Sequence, residues 1–281
     1  MSYKLIRGTF HVVGFKPDGD SLRFRADHWN SWSGYGSLKH SNHRIQLRFQ
    51  GIDTPETHIK GAHQPLDLAF PARDRLLAML GITGVQTGPS GHVITSANDQ
   101  TRGTILVSGS TYGRPIAFVF AGDRFTGTNS GAAFTPTRAQ IRMSTNYRLV
   151  KEGHAYPLYY KELDVGFRGD FTGAAIDAYN ARRGLWPYDW SESFAADTLA
   201  ELEDNYLVFP KLFRRLRPYM RGGNSTSGFV NALRTGPTSK NDLLRLTNGH
   251  NPRIRLSDVL DQQGNSKTIR MLYYPEDLVF E

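Results

Sequence analysis

Apolar and polar side chains alternate through much of the first 125 residues. Over residues 44–50, Ile45, Leu47 and Phe49 take one parity, and Arg44, Gln46, Arg48 and Gln50 take the other. A period of two marks a strand with one face buried, and it holds Arg48 on the polar face. Residues 21–25 repeat the pattern, with Leu22 and Phe24 set against Arg23 and Arg25. Residues 93–96, 104–107 and 116–120 are β-branched or aromatic runs bounded by Gly, Asn and Asp, which predicts further strands. Strands at such short intervals, with turn residues between them, suggest a small closed sheet.

A helical period replaces the alternation in three places. Over residues 67–80, Leu68, Ala72, Leu76, Leu77 and Leu80 share one face and Gly81 stops the run; Pro71 inside it marks either the first turn or a kink. Residues 144–152 form a short helix ended by Gly153. Residues 170–183 line up Phe171, Ala174, Ala175, Ala178 and Ala181, with Arg182, Arg183 and then Gly184 at the end, a helix closing on cations and glycine. The class predicted is α+β, mainly β. Residues 27–43 and 123–137 read as loop insertions. Beyond Trp186-Pro187 the composition changes to an acidic helix-like stretch, 195–205, and then a basic aromatic run, 209–219. We place a boundary near residue 190, giving a domain over 1–188 and an extension of unknown fold, partly helical, over 189–281.

Composition narrows the possibilities. Hydrophobic residues are 39% of 281, enough to fill a core and exclude wholesale disorder. No apolar run approaches the roughly 18 residues of a membrane span, and the first residues lack the apolar stretch of a secretory signal, so no membrane partner is expected and the compartment is cytoplasmic only by default, with export lacking a visible signal left open. With no cysteine, disulfides, thiolate zinc sites, iron–sulfur clusters and cysteine nucleophiles are excluded. The net charge is +8, and all of the excess lies in residues 1–188, which hold 22 basic and 14 acidic side chains against 12 and 12 in the remainder. A basic domain favours a polyanionic partner, nucleic acid or an anionic membrane surface.

Three short segments carry candidate chemistry: Asp18-Gly19-Asp20-Ser21; Arg48 followed by Asp53-Thr54-Pro55-Glu56; and Thr111-Tyr112-Gly113-Arg114. Each alone is an ordinary turn sequence. In this order, with a short helix ending at Gly153 and a later one closing on Gly184-Leu185-Trp186, they resemble the staphylococcal nuclease, or thermonuclease, family over roughly residues 3–188. The resemblance implies a five-stranded OB-type β-barrel with packed helices. It implies an endonuclease-type hydrolase, a Ca²⁺-dependent phosphodiesterase cleaving DNA and RNA. By position, Asp20 and Asp53 would hold one Ca²⁺ through carboxylates and Thr54 through its backbone carbonyl. Arg48 and Arg114 would contact the scissile phosphate, and Glu56 would act on the attacking water. Tyr112 and Tyr159 are candidates to stack on substrate bases; Tyr159 resembles the family's substrate-side tyrosine by its offset from Gly153, though Pro157 disturbs that register, and packing is an equal alternative for Tyr159 and Tyr160. Ser21 replaces the family's usual Thr, and Thr111 stands where the best-known member has Lys.

The chemistry of these residue types agrees. Hard cations take oxygen ligands, guanidinium groups match phosphate oxygens bidentately and stay charged, and a carboxylate can orient or deprotonate water. Asp18 reads as a turn residue or a support behind the ligands. The alternative class is an OB-fold module that binds nucleic acid without turnover. Among remaining signals, His28, His40 and His43 lie in a Gly/Ser-rich loop and read as solvated, and His11 and His154 as structural. Residues 211–221 could form a second nucleic-acid patch or a membrane-surface helix. The acidic 195–205 stretch just before them makes charge pairing on a solvated face the plainer account.

Overall fold

The first strand, β1 (Tyr3–His11), buries Tyr3, Leu5, Ile6 and Phe10 and is the axis of the main sheet. The computed structural model describes residues 2–247 and 252–281. On one side β1 pairs antiparallel with β2 (Arg23–Ala26), which is followed by β3 (His40–Ser41), β4 (Arg44–Gln46), β5 (Arg48–Phe49) and β6 (Ile52–Asp53). Helix α1 (Leu66–Met79) and the ribbon β7 (Gln86–Thr87) and β8 (Ile94–Ser96) lead to the long hairpin β9 (Arg102–Thr111) and β10 (Arg114–Ala121), followed by β11 (Ala133–Phe134). The sheet order is β3-β4-β2-β1-β9-β10-β5, with β11 on β1.

That order bends back on itself. The run 44–50, predicted as one strand, divides at Leu47: β4 pairs with β2, and β5 pairs parallel with β10. Leu47 N–H donates to Leu22 (2.9 Å), Phe49 N–H to Asp20 (3.0 Å) and Gln50 N–H to Ala117 (2.9 Å). One bent segment therefore joins both flanks of a strongly curled half-barrel sheet, and the molecule is α+β, with seven helices among the described residues. Phe10, Phe24 and Phe49 share its inner face, while Phe118 and Phe120 point to the opposite face, against Phe167, Phe171 and Phe125; all five are buried, each contributing about 2–3 kcal/mol.

Helices close the sheet. Helix α1 runs through Pro71 in its second turn rather than starting there. Two short helices follow, α2 (Arg138–Ile141) and α3 (Thr145–Lys151); α3 is capped by the Ser144 hydroxyl on Tyr147 N–H. Strands β12 (Tyr156–Pro157) and β13 (Tyr159–Tyr160) come next, then α4 (Val165–Asn180). Helix α4 begins earlier than the expected Asp170. Asp164 is the cap, accepting from Gly166 and Phe167 N–H, while Asp170 is buried between Arg138 and Arg142 at 2.6 and 2.5 Å. Gly153 and Gly184 meet where α3 and α4 end: Leu185 N–H donates to Gly153 (2.8 Å), and both glycines have positive φ.

From 189 onwards the chain adds α5 (Leu199–Asn205), α6 (Pro210–Met220), α7 (Phe229–Thr235), β14 (Leu243–Leu246), β15 (Ile254–Arg255), β16 (Leu260–Asp261), β17 (Arg270–Met271) and β18 (Leu278–Phe280). Strand β18 lies between β13 and β14, parallel to the first and antiparallel to the second. One apolar core runs from the curled sheet into this segment, taking in Phe209, Leu212, Phe213 and Leu216 of α6 and its entry. Among the described residues no helix is long and apolar enough to cross a membrane.

The charges of α6 depart from expectation. Lys211 and Arg217 are buried, not on a solvated face. The acidic stretch before them pairs elsewhere, Asp197 with Lys267 and Asp204 with His63. Helix α6 is amphipathic, and its cations cross to the strand-rich part of the molecule or to Asp242.

Candidate functional site

The three sequence segments meet at one mouth of the curled sheet. Between β1 and β2 the chain turns sharply: Asp18 N–H donates to Ser21 (3.2 Å), and the Asp18 carboxylate takes a hydrogen bond from the Thr57 hydroxyl and lies 3.1 Å from His58 Nδ1. The hydrogen bond to that carboxylate, with its charge, raises the His58 pKa against the effect of burial. Gly19 is required here for space rather than for its torsion. A Cβ would stand 2.9 Å from the Thr54 methyl and hydroxyl, so only glycine lets the turn close on the loop after β6. The Asp20 carbonyl accepts from Phe49 N–H, which fixes Asp20 beside β5.

Arg48 and Arg114 stand on adjacent strands, β5 and β10, in parallel register near Ile116. The Arg48 guanidinium donates to the Tyr160 hydroxyl (3.3 Å) and lies 5.6 Å from that ring's centroid. Asp53 ends β6, opposite Tyr156 on β12. Glu56 follows the Pro55 turn and is held by Gln64, whose side chain accepts from Glu56 N–H (3.2 Å) and whose N–H donates to the Glu56 carbonyl (2.8 Å).

The electrostatics show how close these groups are. Burial pushes the Asp20 carboxyl well up, and the charges of Asp53, Asp18 and Glu56 push it further, with Arg48 opposing. Glu56 is raised by burial first, with Arg214 pulling it down and Asp53 and Asp18 adding to the rise. Arg114 is lowered by burial and by Arg48, against the pull of Asp20, Asp18 and Glu56. Four carboxylates and two arginines thus share one field. Such crowding of like charge favours a cation in the cluster.

One cation is supplied by the protein itself. Arg214 of α6 donates from Nη1 to Asp53 Oδ1 (2.9 Å) and Glu56 Oε1 (2.6 Å), and from Nη2 to Asp53 Oδ2 (2.7 Å). Burial would favour the neutral guanidine, but Asp53 and Glu56 outweigh it and hold Arg214 charged. Beside it, Lys211 Nζ lies 2.9 Å from Asp242 and 3.4 Å from the Tyr160 hydroxyl.

The donor chemistry fits a hard divalent ion. Asp20 and Asp53 face the cluster, and among the described residues nothing hydrogen-bonds the buried Thr54 hydroxyl. With Asp53 and Glu56 turned onto Arg214, no three described histidine, aspartate or glutamate side chains form a ready-made ion cluster.

Asp20, Arg48, Asp53, Thr54, Glu56 and Arg114 therefore lie together. Tyr112 is 85% exposed at the tip of the β9–β10 turn, two residues from Arg114, free to stack. Tyr159 is a correction. It is fully buried, with its hydroxyl donating to the Arg168 carbonyl and sharing a bond with Thr172, so it offers no ring face to a base. Its neighbour Tyr160 points the other way, towards Arg48. In the 27–43 insertion, Trp32 packs on Phe24 inside the molecule, while Trp29 meets His40 edge-on and His43 at a tilt near the surface. Sequence reasoning missed Arg214, Lys211 and Tyr160. Its one available signal was the density of cations and aromatics over 209–219.

Compared with protein-family models and with curated proteins, the chain matches none.

Proposed function

We propose that the chain is a metal-dependent phosphodiesterase cleaving nucleic-acid strands, built on an OB-type barrel. The architecture supports this: counting β4 and β5 as one bent strand, the curled sheet has five principal members with β1, β2, β9 and β10. The observation that carries the reading is the convergence of Asp18, Asp20, Asp53 and Glu56 with Arg48 and Arg114. A structural ion-pair cluster has no need of acids in excess beside two arginines that repel each other.

In this reading Asp20, Asp53 and the Thr54 carbonyl hold one Ca²⁺. The ion, when bound, supplies Lewis-acid stabilisation of a phosphoryl oxygen and lowers the pKa of water. Arg48 and Arg114 bind the scissile phosphate and meet the charge that grows on its equatorial oxygens. In this reading the two side chains, carried on the neighbouring strands β5 and β10, meet one ester. Glu56 orients and deprotonates water, and burial, which raises its pKa, makes it a stronger base than an exposed carboxylate. Tyr112 offers a ring to any base, giving contact without sequence preference. Phosphate contacts dominate, so base specificity is low.

The test is cleavage of labelled single-stranded DNA and RNA over a Ca²⁺ titration. Chelation should stop cleavage, and Arg48→Ala or Glu56→Gln should lower the rate by about 10²–10³, the cost of one transition-state contact. Full activity of the double variant refutes the reading. The pairing of Arg214 with Asp53 and Glu56 favours a second reading, a module that binds nucleic acid without turnover. Binding without cleavage across several divalent ions would support it.

A further inference from the structure

The acids that would hold and use a metal ion are already neutralised by a side chain from outside the 1–188 segment. We propose that Arg214 is an internal counter-cation that closes the site until a divalent ion displaces it, so that the segment from 189 onwards sets the ion concentration at which the site switches on. The inference rests on the divalent-cation reading above and goes beyond it by naming a competitor built into the fold.

Three observations carry it. First, Arg214 engages both oxygens of Asp53 and one of Glu56. A bidentate guanidinium contact uses the lone pairs that a hard cation needs, so the ion and the arginine cannot hold Asp53 in full together. Second, the arginine is delivered on a fixed element. Leu212, Phe213 and Leu216 of α6 are fully buried, Lys211 is anchored on Asp242, and Arg217 donates to the Lys60 carbonyl. These contacts fix the helix against the rest of the fold, so release of the acids is assigned to rotation of the Arg214 side chain. Third, its neighbours are committed elsewhere. Arg215 makes a bidentate pair with Asp242 at 2.6 Å, so adjacent cations on one helix have separate acids, and of the two it is Arg214 that meets Asp53 and Glu56.

The experiment is calorimetric titration of Ca²⁺ alone into the full chain, for wild type, Arg214→Ala, Arg214→Lys and Arg215→Ala. Arg214→Ala is expected to bind Ca²⁺ at least tenfold more tightly. Arg214→Lys, which keeps the charge but loses the fork, should fall between, and Arg215→Ala, which removes the same charge one residue away, should match wild type. Thermal unfolding gives a second readout: with Arg214 gone, Ca²⁺ should raise the melting temperature more than it does in wild type, because the ion then relieves two unpaired buried carboxylates. If Arg214→Ala does not fold without Ca²⁺, the Arg214→Lys shift decides.

Equal Ca²⁺ affinity in wild type and the folded Arg214 variants overturns the proposal, as does weaker binding in the variants or an equal gain in Arg215→Ala. Cleavage measured on the same samples separates the two ideas. Tighter Ca²⁺ binding without cleavage in any variant would sink the phosphodiesterase and leave the latch standing. Ca²⁺-dependent cleavage with unchanged affinity would do the reverse.

Discussion

Asn146 is the residue whose replacement tests how the site is held. It sits on α3, fully buried, and its side-chain amide spans two strands: Oδ1 accepts from Val119 N–H (2.9 Å), and Nδ2 donates to the carbonyls of Gln50 (2.9 Å) and Ala117 (3.0 Å). The Ala117 carbonyl keeps a second partner in Gln50 N–H; the Val119 N–H and Gln50 C=O depend on Asn146. Asn146→Ala therefore strands two buried backbone groups at about 1–3 kcal/mol each and opens a small cavity, for an expected loss of about 3–5 kcal/mol. Gln50 lies between Arg48 and Asp53, so the loosened segment is the one that positions both.

Controls separate the contributions. Asn146→Leu fills the cavity but leaves the same groups unpaired, and should remain at least about 2 kcal/mol below wild type. Asn146→Asp keeps an acceptor for Val119 but turns a carboxylate on two carbonyl oxygens, which raises its folded pKa above the unfolded value near 3.9. Its penalty is then smallest in acid and grows as pH rises through the folded pKa. Equilibrium urea unfolding, followed by tryptophan fluorescence at pH 4.5 and 7.5, measures all four proteins. Near-wild-type stability of Asn146→Leu, or a loss below about 1 kcal/mol for Asn146→Ala, would refute the claim that these hydrogen bonds hold the strands.

Two further outcomes follow from a buried carboxyl in the C-terminal segment and from the junction of α3 and α4. Glu276 is buried, its Oε2 has no hydrogen-bond partner among the described residues, and burial raises its pKa to about 7. The folded state thus holds a proton that the unfolded chain releases near pH 4.5, and stability should fall as pH rises from about 4.5 to about 7 and level off beyond. Glu276→Gln should remove that slope, a difference of roughly 3 kcal/mol between pH 4.5 and 8; parallel pH profiles for the two proteins would contradict it. At the helix junction, a Cβ on Gly184 would come within 2.2 Å of the Gly153 carbonyl oxygen at a φ of 56°. Gly184→Ala should cost about 3 kcal/mol or more, read as a lowered melting temperature, and unchanged stability would show that the junction can open.

Much of the strand-rich part is legible in the sequence because its signals are local. Parity in 21–25 and 44–50 sets which side chains face inward, and the glycines at 81, 153 and 184 stop helices whose faces are already defined. The turn Asp18-Gly19-Asp20 and the segment from Arg48 to Glu56 name their residues without a structure. What fails is whatever depends on a partner distant in sequence. Asp170 looks like a helix start because an acid before an apolar face is a local signal; its real partners, Arg138 and Arg142, are 32 and 28 residues away. Tyr159 was predicted to face substrate from its offset to Gly153. Neighbouring strand residues point to opposite faces, so an error of one position exchanges Tyr159 in the core for Tyr160 beside Arg48. The cations of 211–221 show amphipathic spacing but not which acids they meet.

Net charge conceals this last point. The segment from 189 onwards is balanced, 12 basic against 12 acidic side chains, and an average of zero suggests electrostatic indifference to the basic part that precedes it. The pairs are not balanced locally. Asp242 takes Lys211 and Arg215, Glu281 takes Arg245 and Arg253, and Asp197 takes Lys267, while Arg214 crosses to Asp53 and Glu56. The segment therefore places one positive charge where Asp18, Asp20, Asp53 and Glu56 stand against Arg48 and Arg114. Even with Arg214 counted, four acids face three arginines, and Asp20 is still pushed well above the usual carboxylate range. A guanidinium on Asp53 and Glu56 relieves part of the repulsion and leaves Asp20 crowded. A divalent ion between Asp20 and Asp53 would relieve the whole of it, and this difference in charge is what would allow the ion to win the contest with Arg214.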